Sequence, residues 1–173
     1  MNTADDPAPD VLARTLEEAG FESLWYGEHR HIPASRKTPY PAGGELPAPY
    51  RKMMDPYVSL MAAAAVTTRL KLGTGIALLM ERELFSQAKT IATLDRLSGG
   101  RLLIGCGVGW NEEEFTNATR LPWGRRYLAL EETVQAQRAL FSEVEPAFHG
   151  ELIDFDPVWF DPKPVQPGGP PVI

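Results

Sequence analysis

Apolar positions along the chain follow two alternating periods, one helical and one of strands, and their order predicts an α/β fold. Val11, Leu12, Leu16 and Ala19 share one helical face, with Asp10 placed as N-cap and Gly20 as the stop. Phe21 to Tyr26 then reads as a short buried strand. From Gly27 to Met54 the apolar period disappears into a stretch rich in Pro, Gly, Arg and Tyr, and loops of such length inside a domain are usually functional. Asp55-Pro56 is a strong helix start, and the helix it opens is rich in alanine, as close packing on a sheet requires. Leu70 to Leu79 is the next strand, and Leu84, Ala88, Ile91 and Ala92 form one face of a third helix closed by Ser98-Gly99-Gly100. Arg101 to Gly109 is a third strand, Asn111 to Phe115 a helical turn, and Tyr127 to Phe141 a helix with Leu130, Val134 and Phe141 inward. A short hairpin is expected at Glu151 to Phe155, and Pro171-Val172-Ile173 reads as the opening of a further strand.

Single helices between strands imply parallel pairing through right-handed crossovers. In parallel sheets the chemistry gathers at the C-terminal strand ends. Three such ends are predicted here: Gly27-Glu28-His29, Gly73-Thr74-Gly75-Ile76 and Gly107-Val108-Gly109-Trp110.

Glu28-His29 places an imidazole at the mouth of the sheet, where its near-neutral proton affinity suits proton transfer with a bound ligand. The alternative is a histidine that only caps the strand end. The glycines around Thr74 and Ile76 let backbone approach a flat ligand, or else kink the strand. Gly105 to Gly109 follows a strand and precedes a helical turn, so its amides can face an anion. The string LLIGCGVG also looks like the glycine-rich motif of S-adenosylmethionine-dependent methyltransferases. Against that reading, Leu103 stands where those enzymes carry an acid, and Glu131 and Glu132 lie within a helix.

Several other polar residues read as structural. Asp95 is expected to tie its helix to the turn before the next strand, and Glu112-Glu113-Glu114 to form a solvated first turn. His31 is expected in an exposed loop, His149 in a turn, and Cys106 as a small buried strand residue.

Composition narrows the function classes. Of 173 residues, 43% are apolar and 23% charged, which is ordinary for a folded domain. The formal charge of -6 argues against a surface that tracks nucleic-acid phosphates and against an anionic membrane. One cysteine and no Cys/His cluster of metal spacing leave no internal disulfide and no structural zinc site. The acidic start lacks the apolar core of a signal peptide, so a cytoplasmic location is expected.

Taken together, GFESLWYGEH, DPYVSLMAAAAVTTRLKLGTGI, AKTIATLDRLSGGRLLIGCGVGWNEEEF and PKPVQPGGPPVI resemble the luciferase-like monooxygenase family, from about Val11 to Ile173. The version here looks most like the branch that uses the deazaflavin coenzyme F420, with FMN as the alternative. The resemblance implies a (β/α)8 barrel with the flavin at the C-terminal strand ends, acting on a small organic substrate. It implies that His29 is the active-site histidine and Glu28 the acidic position before it. Thr74 and Gly75-Ile76 match a third-strand bulge that backs the flavin ring, often with a non-prolyl cis peptide, and Gly107, Val108 and Gly109 match the fourth-strand end lining the cofactor. Trp110 stands where some relatives carry a catalytic glutamate.

A complete barrel of this kind needs on the order of 250 residues. Strands two to four and the start of strand five are therefore expected in an incomplete domain spanning residues 10–173, after a disordered segment 1–9. Such a partial barrel is expected to self-associate or to pair with a complementing half-barrel. A non-catalytic half-barrel remains the alternative to an oxidoreductase.

Overall fold

In the computed structural model, which describes all 173 residues, three parallel strands lie side by side in chain order. They are β1 (Ser23–Tyr26), β2 (Lys71–Ala77) and β3 (Leu102–Cys106). Val172 pairs in parallel with Ile104, so the last residues continue the sheet on the far side of β3. Neighbours in chain order, with no reversal, are the arrangement of a barrel wall and not of a doubly wound nucleotide-binding sheet. This ordering removes the methyltransferase reading.

Helices cover one face. They are α1 (Pro9–Glu18), α2 (Pro56–Ala64), α3 (Leu84–Leu97), α4 (Glu112–Ala118) and α5 (Arg126–Ser142), and a small antiparallel hairpin, β4 (Phe148–His149) with β5 (Asp154–Phe155), follows. Leu24, Tyr26, Leu72, Leu102 and Ile104 point from the strands into a core shared with Leu60, Ala63, Ala64, Ala88, Ile91 and Ala92. Alanine on α2 and α3 lets these helices lie close to the sheet. Asp55 caps α2 as its sequence predicts, its Oδ1 accepting from the Tyr57 and Val58 amides at 2.9 and 3.1 Å.

The first helix begins two residues earlier than expected, with Pro9 in its first turn and no side-chain cap, so Asp10 lies inside the helix. Its buried face also differs: Ala13 is buried, whereas Val11 is exposed. Within residues 1–9, two positions pack against the domain. Asn2 is buried, donating from Nδ2 to Ser59 Oγ at 3.0 Å, and Thr3 bridges to Met53.

Buried polar groups hold the connections at the N-terminal end of the sheet. The Arg101 guanidinium donates to Ser98 O, Thr67 Oγ1, Leu70 O, Ala64 O and Thr67 O, all at 2.7–3.0 Å. It thereby fastens the ends of α2 and α3 to the start of β2. Asp95 is structural, as expected, but its partners differ. Its carboxylate accepts from the Val165 and Gln166 amides at 2.7 and 3.0 Å and from Gln166 Nε2 at 2.7 Å. It anchors the Pro-rich segment that brings Val172 beside β3.

Candidate active site

All three predicted strand ends meet at one side of the sheet. Glu28 N donates to Ile76 O at 3.1 Å, and Gly107 N to Ala77 O at 3.2 Å, so the ends of β1, β2 and β3 are stitched together beyond the regular ladder. The register of β2 against β3 shifts between Thr74 and Ala77, which places the implied bulge where the resemblance put it. The Gly75–Ile76 peptide is cis.

Glycine is needed here for space. A Cβ on Gly27 would lie 3.1 Å from Gly75 O, one on Gly105 would lie 2.2 Å from Thr74 O, and one on Gly107 would lie 2.3 Å from Ile76 Cδ1. Beside this glycine-lined edge is a cleft of about 380 Å³ bordered by Trp25, His29, Tyr50, Met53, Ile76 and Trp110. Thr74, expected at the cofactor, is instead fully buried, with Oγ1 donating to Gly105 O at 2.8 Å. Val108 turns away from the cleft to pack with Met80, Phe115 and Ala129, and Gly109 adopts φ +70° over Leu78 and Glu81.

His29 borders the cleft, and its carboxylate partner is not its neighbour in sequence. Nδ1 of His29 lies 2.6 Å from Glu114 Oε2, while the Arg30 amide donates to Glu114 Oε1 at 2.9 Å. A carboxylate only accepts, so the ring proton resides on Nδ1 and Nε2 is left as the free nitrogen. Tyr50 and Trp110 meet the imidazole at centroid distances of 5.3 and 5.7 Å, the tryptophan edge-on, and fix the plane of the ring.

Glu28 has another task. Its side chain is 1% exposed and accepts from the Leu78 amide at 2.9 Å and from Arg82 Nε at 2.6 Å. Burial pushes this carboxyl up from its ordinary value, and the Arg82 charge and the Leu78 amide oppose the shift. Arg82 in turn reaches Asp55 at the cap of α2 and stacks on Tyr57 at 4.8 Å. Glu28 lines the cleft beside His29, while its carboxylate joins β1, β2 and, through Arg82, α2.

The acidic triplet is likewise not a solvated turn. Asn111 caps α4, its Oδ1 accepting from the Glu114 amide at 3.2 Å, and the third helical position turns Glu114 back to the end of β1. Glu113 accepts from Thr38 Oγ1 at 2.6 Å and the Lys37 amide at 2.5 Å, which hold its carboxyl well below the usual range, at about 2. These bonds, together with the contact between the Tyr40 and Tyr50 hydroxyls at 3.1 Å, fold the long loop over the strand ends. The signal for Glu114 was present in the sequence as an Asn followed three residues later by Glu and then by Phe115, which is fully buried.

The sequence model of the luciferase-like monooxygenase family matches residues 11–173. The chain belongs to that family. An uncharacterized protein of Mycobacterium tuberculosis (strain ATCC 25618 / H37Rv) is 43% identical over 168 residues, covering 95% of this chain and 59% of that protein. The luciferase-like chain thus spans about three-fifths of the length of the curated relatives it matches at this level. An FMNH(2)-dependent dimethylsulfone monooxygenase of Pseudomonas putida is 34% identical over 82 residues, 46% of this chain and 22% of that one. Among solved structures, a monooxygenase from Streptomyces bottropensis superposes with a TM-score of 0.78 at 28% identity, covering 95% of this chain and 45% of that chain. The parallel sheet described above is accordingly part of a luciferase-like barrel.

Proposed function

We propose that this luciferase-like chain forms the flavin-facing part of an oxidoreductase or monooxygenase acting on a small organic substrate, with His29 as its proton donor and acceptor. The observation that carries the reading is the imidazole bordering a glycine-edged cleft, held by Glu114 at 2.6 Å with Nε2 free. The residues present fit a flat ring system. Gly27, Gly75 and Gly107 keep the strand ends clear of side chains, and Ile76, Trp25 and Trp110 offer apolar faces. Bound there, the flavin would supply two-electron chemistry that no side chain can. The chain's own contribution is to orient the reactants, exclude water with Trp110 and Tyr50, and hold or release a proton at His29 Nε2.

FMN is the preferred cofactor over coenzyme F420, because a relative named above is FMNH(2)-dependent. Titration of the chain with FMN, a deazaflavin and S-adenosylmethionine, read by fluorescence or calorimetry, tests this. Binding is expected to be strongest for FMN and absent for S-adenosylmethionine. Adenosylmethionine binding without flavin binding would overturn the reading.

The outer edge of β1 has no strand beside it. A second copy of the chain is proposed to cover it, so light scattering should find dimers or larger species at micromolar concentration. A monomer under those conditions would exclude such pairing.

A further inference from the structure

Three carboxyl groups lie buried around the ends of β1 and β2, and only two of them have been given donors. Glu28 accepts from Arg82 and the Leu78 amide, and Glu114 accepts from His29 and the Arg30 amide. The third is Glu81, 2% exposed, in the 3-10 turn Leu79–Glu81 that follows β2. Its Oε2 is buried without a partner, and a Cβ on Gly109 would sit 3.6 Å from its Oε1. Arg30 links this turn to Glu114: its Nη1 donates to the Glu81 carbonyl and its amide to Glu114 Oε1.

No cation on the elements packed against this turn pairs with Glu81, although Arg126 Nε is itself buried without a partner. On α5, Arg126 stacks over Trp123 and Tyr127, and Glu132 accepts from the amides of residues 151–153. On α3, Lys89 lies against Phe160 and the Asp161 carbonyl, and Glu83 caps the helix. An ionised, unpartnered carboxylate among two others would carry a large desolvation and repulsion cost, which a proton removes.

We propose that Glu81 holds a proton through the neutral range and is a positioning residue for His29, acting through Glu114. Glu114 is the carboxyl that meets the imidazole, and a neutral Glu81 adds no charge beside it. When Glu81 ionises in alkali, the added negative charge strengthens the hold of His29 on its own proton. Burial first, and then the charges of Glu114 and Glu28, push the Glu81 carboxyl up to about 8 against the opposing charge of Arg30. The functional part of this inference rests on His29 being the acid-base group, whereas the titration of Glu81 does not.

The sign follows from linkage. A carboxyl whose proton affinity is raised by folding binds more protons in the native than in the unfolded state, so stability falls as pH rises from the unfolded value toward the folded one. In the full chain, the unfolding equilibrium constant of wild type relative to Glu81→Gln should rise about tenfold per pH unit between about 5 and 8, then level off. Glu81→Met, neutral and of similar length, should give the same slope if the amide of glutamine disturbs folding. The His29 ring resonances should show a second inflection in alkali that both variants lose. A flat ratio, meaning that Glu81 titrates as an ordinary carboxylate, would overturn the proposal, as would a tenfold slope without the His29 inflection. Neither measurement uses flavin or turnover, so failure of the enzymatic reading is seen separately.

Discussion

Replacing Arg82 by alanine should destabilise the protein by about 3–5 kcal/mol at neutral pH, the typical effect of removing one partner from a buried ion pair. The physical cause is Glu28, whose side chain is 1% exposed and whose only cation is the Arg82 guanidinium. Without Arg82 its carboxyl is driven further up, so the folded state binds a proton that the unfolded chain releases. The penalty should therefore shrink as pH falls toward the ordinary carboxylate value, where both states are protonated. Adding Glu28→Gln to the Arg82→Ala background should recover much of the loss, since the amide oxygen still accepts from Leu78 and carries no charge. What remains reflects the lost contacts of Arg82 with Asp55 and Tyr57. Chemical denaturation across pH measures all three quantities, and a pH-independent loss below about 1 kcal/mol would show that this pair does not hold the strand ends.

Removal of the His29 imidazole should lower flavin-dependent turnover by roughly 10²–10⁴-fold, the range for losing a positioned general acid or base. Flavin affinity should change much less in His29→Ala, because the glycine edge and the Trp110 and Ile76 faces remain. Glu114→Leu should lower turnover by a smaller factor and broaden the pH dependence, since the ring stays in place but its tautomer is no longer imposed. Steady-state rates with reduced flavin, compared with flavin titrations of the same variants, separate the two effects. An unchanged rate in His29→Ala would reduce the imidazole to a packing partner of Tyr50 and Trp110.

The two acids beside His29 show where reading along the chain goes astray. Glu28 is adjacent in sequence, but its carboxylate turns to the Leu78 amide and Arg82. Glu114 is 85 residues away and reaches Nδ1 because an Asn cap orients the first turn of α4. Charged triplets at helix starts are usually solvated, and the local cue here, Asn111 three residues before Glu114 with Phe115 after it, marks a cap and an inward turn but not the partner. The long loop was legible as functional from its length and composition, yet its anchor on Glu113 was not, because that bond joins two segments with no shared period.

Local signals by themselves determined the order of strands and helices, the parallel pairing, the cap at Asp55 and the convergence of three glycine-containing strand ends, because periodicity, turn chemistry and crossover handedness act over short stretches of chain. Resemblance added the bulge at Gly75–Ile76. Tertiary structure alone decided which carboxylate serves His29, that Glu28 is spent on Arg82, that Asn2 and Thr3 are held, and that Glu81 is left buried without a donor. Each of these depends on which distant group arrives within about 3 Å of a polar atom, and hydrogen-bond partners at that range are set by packing of whole elements and not by the identity of neighbours along the chain.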